Sequence, residues 1–270
     1  MGTAPTRTAT PTLLDVTWDD YDAALFDLDG VITPTADVHM RAWAQMFSAF
    51  LEARGAEPYT EADYFAHLDG KPRYEGVADL LASRGIDLPQ GEPSDSPDAE
   101  TMCGLGNRKN AVFGQVLRDE GVEAYPGSVR LLDALAERGT KVAIVSSSAN
   151  APDVLKAAGV FGRFEVIVDG TVSKTEGLQG KPEPETFLYA AEQVGVPRER
   201  AVVLEDALSG VAAGRAGDFG LVVGVDRGAG ADALRASGAD IVVHDLAELL
   251  GEAEHVQSGE AEHVQSEGSA

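Results

Sequence analysis

The chain has 270 residues and a single cysteine, Cys103. One thiol can form neither an intrachain disulfide nor a Cys-type metal site, so a reducing, cytoplasmic setting is the simplest expectation. Basic residues are also scarce: 21 Lys and Arg stand against 45 Asp and Glu, a formal net charge of -24. No basic stripe offsets this excess, which argues against nucleic acid as a partner. A small anion remains open wherever a few Lys and Arg converge. The sequence holds no apolar run near the ~18 residues of a membrane span, so no membrane association is expected. Residues 1–12 lack the apolar core of a secretory signal and read as part of a flexible leader. Their Met-Gly-x-x-x-Thr start meets the loose myristoylation pattern, but nothing else favours a lipid anchor. A dinucleotide fingerprint in strand-to-helix context is missing too, and Gly210 with Gly214 suits close helix packing instead.

What is present is organised around residues 23–35, where an apolar strand ends in Asp27-Leu28-Asp29-Gly30. Alternate strand residues share a face, so Asp27 and Asp29 project from one side of the backbone. Two crowded carboxylates repel unless a cation, a proton or a chemical task separates their states.

The rest of the chain divides by its periodicity. Residues 21–27 read as a buried strand. Apolar spacing of three or four, through His39, Trp43, Met46 and Phe50, predicts a helix over 36–54, with Gly55 as its stop. Helices are also predicted over 60–68, 74–84 and 107–118, separated by a turn at 69–73 and a polar loop at 90–98. From residue 129 the pattern alternates: helices over 129–138, 184–194 and 207–216, and strands over 141–145, 165–168, 201–204, 221–225 and 241–243. Pro152 suits the first turn of a further helix. Alternating strands and helices imply a doubly wound parallel sheet, an α/β, Rossmann-like core. The expected organisation is a leader (1–19), a core (20–34 and 126–250), an inserted all-helical cap (35–125) and a tail (251–270). In that tail Gly-Glu-Ala-Glu-His-Val-Gln-Ser occurs twice in succession. It is too short and polar for a core, so it reads as solvated and disordered, with His255 and His263 an unsupported metal pair.

In open parallel sheets ligands gather at the carboxyl ends of the strands. Asp27, Asp29, Ser146, Glu205 and Asp206 all fall at such ends, and Lys181 lies in a loop before the 184–194 helix. Dense hard oxygen donors suit Mg2+, and a lysine with a hydroxyl suits phosphate. Singly, each has a structural reading: a strand-end turn, a serine cap, an exposed lysine, an acidic helix start. Their joint placement carries the functional one.

These motifs, Asp27-Leu28-Asp29-Gly30-Val31 with Thr33, then Ser146, Lys181-Pro182 and Glu205-Asp206, resemble the haloacid dehalogenase superfamily of phosphotransferases over about residues 25–243. The resemblance is closest to its β-phosphoglucomutase branch. It extends through residues 27–43 with His39, Gly70 with Arg73, Arg108-Lys109-Asn110, Ser148 with Asn150, and Glu205-Asp206-Ala207-Leu208-Ser209-Gly210. It implies Asp27 as nucleophile and Asp29 as general acid and base. Ser146 and Lys181 would hold the transferring phosphoryl group, and Mg2+ would sit on Asp27, the Asp29 carbonyl, Asp206 and a nearby or ligating Glu205. Arg73, Ser148 and Asn150 would grip the distal phosphate, Lys109 would meet sugar hydroxyls, and His39 would position Asp29. Outside the resemblance, His39 reads as a cap-core residue and Lys109 as part of a solvated helix.

The expected activity is interconversion of β-D-glucose 1-phosphate and glucose 6-phosphate through an aspartyl phosphate and a bisphosphate, in a monomer. The alternatives are a sugar-phosphate phosphatase of the same fold and a non-catalytic phosphosugar-binding protein. A phosphonate hydrolase would need a cap lysine as imine former, for which Lys71 is only a loose candidate. Three departures from the family pattern remove positive charge or change the hinge: Pro34 for an acidic residue, Ala149 for a lysine, and Asp69 where a basic residue is common.

Overall fold

The computed structural model describes residues 16–250; the myristoylation pattern, most of the leader and the repeat tail lie outside the described residues. Six strands form one parallel sheet: β1 (Ala23–Phe26), β2 (Lys141–Val145), β3 (Val166–Val168), β4 (Ala201–Glu205), β5 (Leu221–Val225) and β6 (Ile241–Val243), in the order β3-β2-β1-β4-β5-β6. β1 is central, pairing Phe26 with Ile144 on one side and with Leu204 on the other. The chain winds outward from β1 to β3, then restarts across β1 at β4. The crevice at that reversal is where such sheets bind ligands.

β1 is buried on both faces because its alternate residues serve different layers. Ala24 and Phe26 join Leu131, Leu135 and Leu155 from α5 (Pro126–Arg138) and α6 (Ala151–Ala157). Ala23 and Leu25 pack with Phe187, Ala190 and Ala213 from α8 (Glu185–Gln193) and α9 (Leu208–Ala216). A strand sandwiched in this way reads as a continuous apolar run rather than an alternating one.

Between β1 and α5 the regular structure is helical: α1 (Thr35–Glu52), the short α2 (Glu61–Asp63) running into a π-helical turn at Tyr64–Leu68, α3 (Arg73–Ser83) and α4 (Met102–Glu120). This block has its own core, with Trp43, Phe47, Phe50, Leu80, Leu81 and Leu105 buried together. Phe47 stacks between Trp43 and Tyr59, with ring centroids 5.5 and 5.9 Å away.

Two differences from the sequence expectation have local causes. α4 starts at Met102 rather than at 107, capped by the Thr101 hydroxyl, which accepts the Gly104 N–H at 2.9 Å. Gly104 and Gly106 hide this first turn because they look like breakers. Gly106 is there for packing: a Cβ at that position would lie 2.8 Å from the Tyr74 ring. The short helices α7 (Gly170–Glu176) and α10 (Ala231–Ser237) are too brief and polar for periodicity to reveal.

The two tryptophans report on different cores, Trp18 on the sheet and Trp43 on the inserted helices. Phe47→Ala should destabilise the inserted block by about 3–5 kcal/mol. In single-tryptophan versions of that variant, the urea midpoint read by Trp43 should fall below that read by Trp18. Coincident shifts of equal size would show instead that the two cores unfold as one.

Candidate active site

The end of β1 is clamped to β4 by the Asp27 N–H, which donates to the Leu204 carbonyl at 2.9 Å. The Asp27 carboxylate therefore emerges at the topological reversal, 7% exposed. Lys181 meets it from the loop before α8: its Nζ donates to Asp27 Oδ1 at 2.5 Å, Glu205 Oε1 at 2.6 Å and the Val145 carbonyl at 3.0 Å. Both Glu205 oxygens are engaged, since Oε2 accepts the Ala207 N–H at 2.7 Å. One buried ammonium thus spans two buried carboxylates and a strand-end carbonyl, and the pair raises the Lys181 pKa above its ordinary value despite burial. Burial outweighs Lys181 at Asp27 and pushes its carboxyl well up, with Glu205 and Asp29 adding repulsion.

Asp29, two residues on, has different company. Its Oδ1 accepts the Thr35 hydroxyl, which is paired with Thr33 Oγ1 at 2.7 Å, and it faces His39 Nε2 at 3.5 Å. Burial raises the Asp29 carboxyl, while Thr35, Lys109 and Lys181 oppose the rise. Gly30 then turns with φ +84°, a region that L side chains rarely adopt. A Cβ there would fall 1.8 Å from Asp206 Oδ2.

The inserted helices bring His39 from α1 and Lys109 from α4 into contact. Lys109 Nζ lies 2.6 Å from His39 Nδ1 and 5.0 Å from the ring centroids of both Trp43 and Phe113. An ammonium donating to Nδ1 leaves the ring hydrogen on Nε2, which among the described residues has no hydrogen-bond partner besides the longer approach to Asp29. Burial, with Lys109 and Arg73 nearby, holds His39 well below its ordinary pKa, in the neutral form. Burial brings Lys109 down to about 7, with Asp29 opposing. The solvated-helix reading of Lys109 does not hold, because its side chain is covered (2% exposed).

On the far wall, Arg73 Nη1 donates to Asn107 Oδ1 at 3.1 Å, and the Tyr74 hydroxyl donates to the same oxygen at 2.9 Å. Asn150 Nδ2 reaches across to Asn110 Oδ1 at 2.6 Å, while the Ser148 N–H donates to Ser146 Oγ at 3.1 Å. Two serines tie the walls together: Ser147 Oγ donates to the Gly70 carbonyl at 2.8 Å and Ser209 Oγ to the Asp69 carbonyl at 3.3 Å. Every site residue named from the sequence lines a single cavity of about 600 Å³. Arg108 turns away, with its Nε on the Pro97 carbonyl.

Two participants, Thr35 and Tyr64, escaped the sequence reading of the site. Thr35 opens α1 and holds Asp29, and its nearness to the Thr33 motif was the available signal. Tyr64 lines the cavity beside Asp69, the acidic departure noted in the sequence; burial and the nearby carboxylates lift Asp69 to about 6, against the hydrogen bond from Tyr64.

Asp27, Glu205 and Asp206 each offer an oxygen within 4.8 Å of the others. Asp206 is raised well above its ordinary range by burial and then by Glu205, Asp69, Asp27 and Asp29. Such a hard-oxygen set, carrying more negative charge than Lys181 balances, fits a divalent cation.

A cavity lined by carboxylates and a lysine at the reversal of a doubly wound sheet, roofed by inserted helices, defines a class. The model of the haloacid dehalogenase-like hydrolases matches residues 21–218, and the chain belongs to that family. It is an enzyme of phosphotransferase or hydrolase type. More particularly, it is 50% identical over 238 residues to a β-phosphoglucomutase of Mycobacterium tuberculosis, covering 84% of this chain and 91% of that one. It is 28% identical over 206 residues to a phosphorylated carbohydrates phosphatase of Thermotoga maritima, covering 76% and 85%. A crystal structure of β-phosphoglucomutase from Clostridium difficile aligns over 91% of this chain and 99% of its own, at 26% identity and a TM-score of 0.70.

Lys109 yields a signed expectation. Its folded pKa of about 7 lies below the value near 10.4 expected unfolded. Between these values the unfolded chain binds a proton that the folded one lacks, so this group makes stability rise with pH. Lys109→Met should remove that rise, and its stability relative to the parent should be most favourable at pH 6 and decline toward pH 10. Urea titrations at the two extremes check this, and a pH-independent difference would contradict it.

Proposed function

We propose that the chain is a Mg2+-dependent β-phosphoglucomutase that interconverts β-D-glucose 1-phosphate and glucose 6-phosphate through a bisphosphate. The observation that carries this reading is the separation of two neighbouring carboxylates into different environments within one cavity. Asp27 faces Lys181 and the acidic cluster, while Asp29 faces Thr35 and the His39–Lys109 pair. The 50% identity to a mutase supports the same choice.

In the proposed reaction an Asp27 oxygen attacks the phosphorus of the bisphosphate. The bond from phosphorus to the sugar oxygen breaks as that from phosphorus to Asp27 forms. Asp29, whose carboxyl burial raises above its ordinary range, gives a proton to the departing sugar oxygen. The glucose 6-phosphate so formed leaves and β-D-glucose 1-phosphate takes its place. Asp29 takes the proton of its 6-hydroxyl, whose oxygen attacks the aspartyl phosphate as the bond from phosphorus to Asp27 breaks. The bisphosphate this forms turns end for end before Asp27 attacks its other phosphorus. Lys181 and Ser146 hold the phosphoryl oxygens by charge-assisted and neutral hydrogen bonds. Mg2+ would be held by Asp27, Asp206 and the Asp29 carbonyl, with Glu205 beside it, and would neutralise charge on the transferring group. Arg73, Ser148 and Asn150 anchor the phosphate that is not transferred, and Arg73's planar fork suits it.

The block over 35–125 acts as the cap on a core of 20–34 and 126–250, and one chain supplies every group, consistent with a monomer. Among the described residues no helix is long and apolar enough to cross a membrane. Cytoplasmic placement is part of the proposal and follows from the lone, buried Cys103.

A phosphatase is the second reading, favoured by Asp69 in the cavity wall and by Ala149 beside Ser148 and Asn150. Fewer positive charges weaken the grip on a bisphosphate, so water has more opportunity at the aspartyl phosphate.

Incubation with β-D-glucose 1-phosphate, Mg2+ and a trace of the bisphosphate should yield glucose 6-phosphate. Free phosphate with no isomerised sugar would instead establish the phosphatase. Asp27→Asn should lower turnover by ~10³-fold or more in either assay. Full activity in that variant would overturn both readings. Ala149→Lys should raise the ratio of isomerised sugar to free phosphate, read on the same reaction mixtures, and an unchanged ratio would remove Ala149 from the argument.

A further inference from the structure

Arg227, in the loop between β5 and α10, takes no part in the chemistry above, yet it touches the three segments that meet behind the site. Its Nε donates to the Gly30 carbonyl at 2.8 Å and its Nη1 to the His244 carbonyl at 2.8 Å, just past β6. Its guanidinium carbon sits 3.9 Å over the centre of the Tyr125 ring. Gly30 belongs to the turn that carries Asp29 and runs beneath Asp206, where no Cβ fits. Tyr125 immediately precedes α5, where the chain returns from the inserted helices to the sheet. The Tyr125 N–H donates to the Ile32 carbonyl at 2.9 Å, so the return crossing is already stitched to the catalytic turn. A guanidinium suits this place because its rigid fork can serve two carbonyls while its flat face stacks on a ring. Arg227 Nη2 is buried without an acceptor among the described residues.

We propose that Arg227 is a positioning residue that couples the Tyr125 hinge to the Gly30 turn, so that movement of the inserted helices and the placement of Asp29 and Asp206 are linked. It acts through these neighbours and does not meet the substrate. The outward crossing at Pro34–Thr35 is only a few residues from Gly30, so a single side chain braces both chain passages.

The test uses the full chain with Arg227→Lys, Arg227→Gln and Tyr125→Leu. Arg227→Lys keeps the charge and loses the fork and the stack. Without substrate, amide exchange at Gly30, Thr33 and Tyr125 should quicken by ~10-fold or more in each variant, while amides of Leu221–Val225 keep their parental rates. In the phosphoryl-transfer assay kcat should fall by roughly 10-fold, with KM for the sugar phosphate changed by less than about 3-fold. Combining Arg227→Lys with Tyr125→Leu should add little to either alone, as expected of two partners in one contact. Parental exchange at Gly30 and Tyr125, with kcat retained and only thermal stability lowered, would overturn the proposal and leave Arg227 as a staple between the β5 and β6 loops. Should the Arg227 variants fail to fold, Tyr125→Leu decides alone, since it leaves both carbonyl hydrogen bonds intact. The coupling rests on the proposed function only in its kinetic part. Exchange is measured without substrate, so a mistaken substrate would leave that result standing.

Discussion

The buried Lys181 ammonium, held among Asp27, Glu205 and the Val145 carbonyl, is the constraint on which the site depends. A charge taken out of water is tolerated only when it is paired and its hydrogen bonds are met, and here each donor of the –NH₃⁺ has an acceptor. The three acceptors come from the ends of β1, β2 and β4, which makes Lys181 a pin through the carboxyl edge of the sheet. The alignment of those strand ends therefore positions the Asp27 carboxylate. Removing the ammonium would leave two buried carboxylates facing each other at the centre of the fold.

A second polar system hangs from the inserted helices and follows different physics. Lys109 has one polar partner, His39, and two aromatic faces, and its pKa falls where that of Lys181 rises. The two lysines differ in the number of carboxylates within reach: Lys181 bonds to two, whereas Lys109 bonds to none and feels Asp29 only at a distance. Asp29 lies between these systems, tied to one by sequence adjacency to Asp27 and to the other by His39. The surroundings of the Asp29 carboxylate are thereby linked to the placement of the inserted helices.

Much of the architecture was legible because strong physical signals were local. Strands buried on both faces announce themselves as short apolar runs, and β2 and β5 have the bounds read from the sequence. The long helices follow from apolar spacing. The reading failed where tertiary contact overrode a local rule: Gly104 and Gly106 look like breakers but allow α4 to approach Ala99 and Tyr74. It also failed at α7 and α10, two turns each, whose short apolar faces carry little periodic signal. At the site, residue types at strand ends identified the carboxylates and Lys181. Thr35 and Tyr64 stayed hidden because a threonine or a tyrosine near a turn has many ordinary explanations.

By itself the sequence determined the order of strands and helices, the pairing of Asp27 with Asp29 on one face, and a donor chemistry suited to phosphate and a hard cation. These follow from period-two and period-3.6 geometry and from the valence of side chains, which need no knowledge of distant contacts. Only the tertiary structure decided that Lys181 belongs equally to Asp27 and Glu205, that Lys109 meets His39 across 70 residues, and that Arg227 reaches Gly30 across 197. Such partners are chosen by how the layers close on one another. The carboxylates brought within reach then give two equally buried lysines opposite electrostatic behaviour.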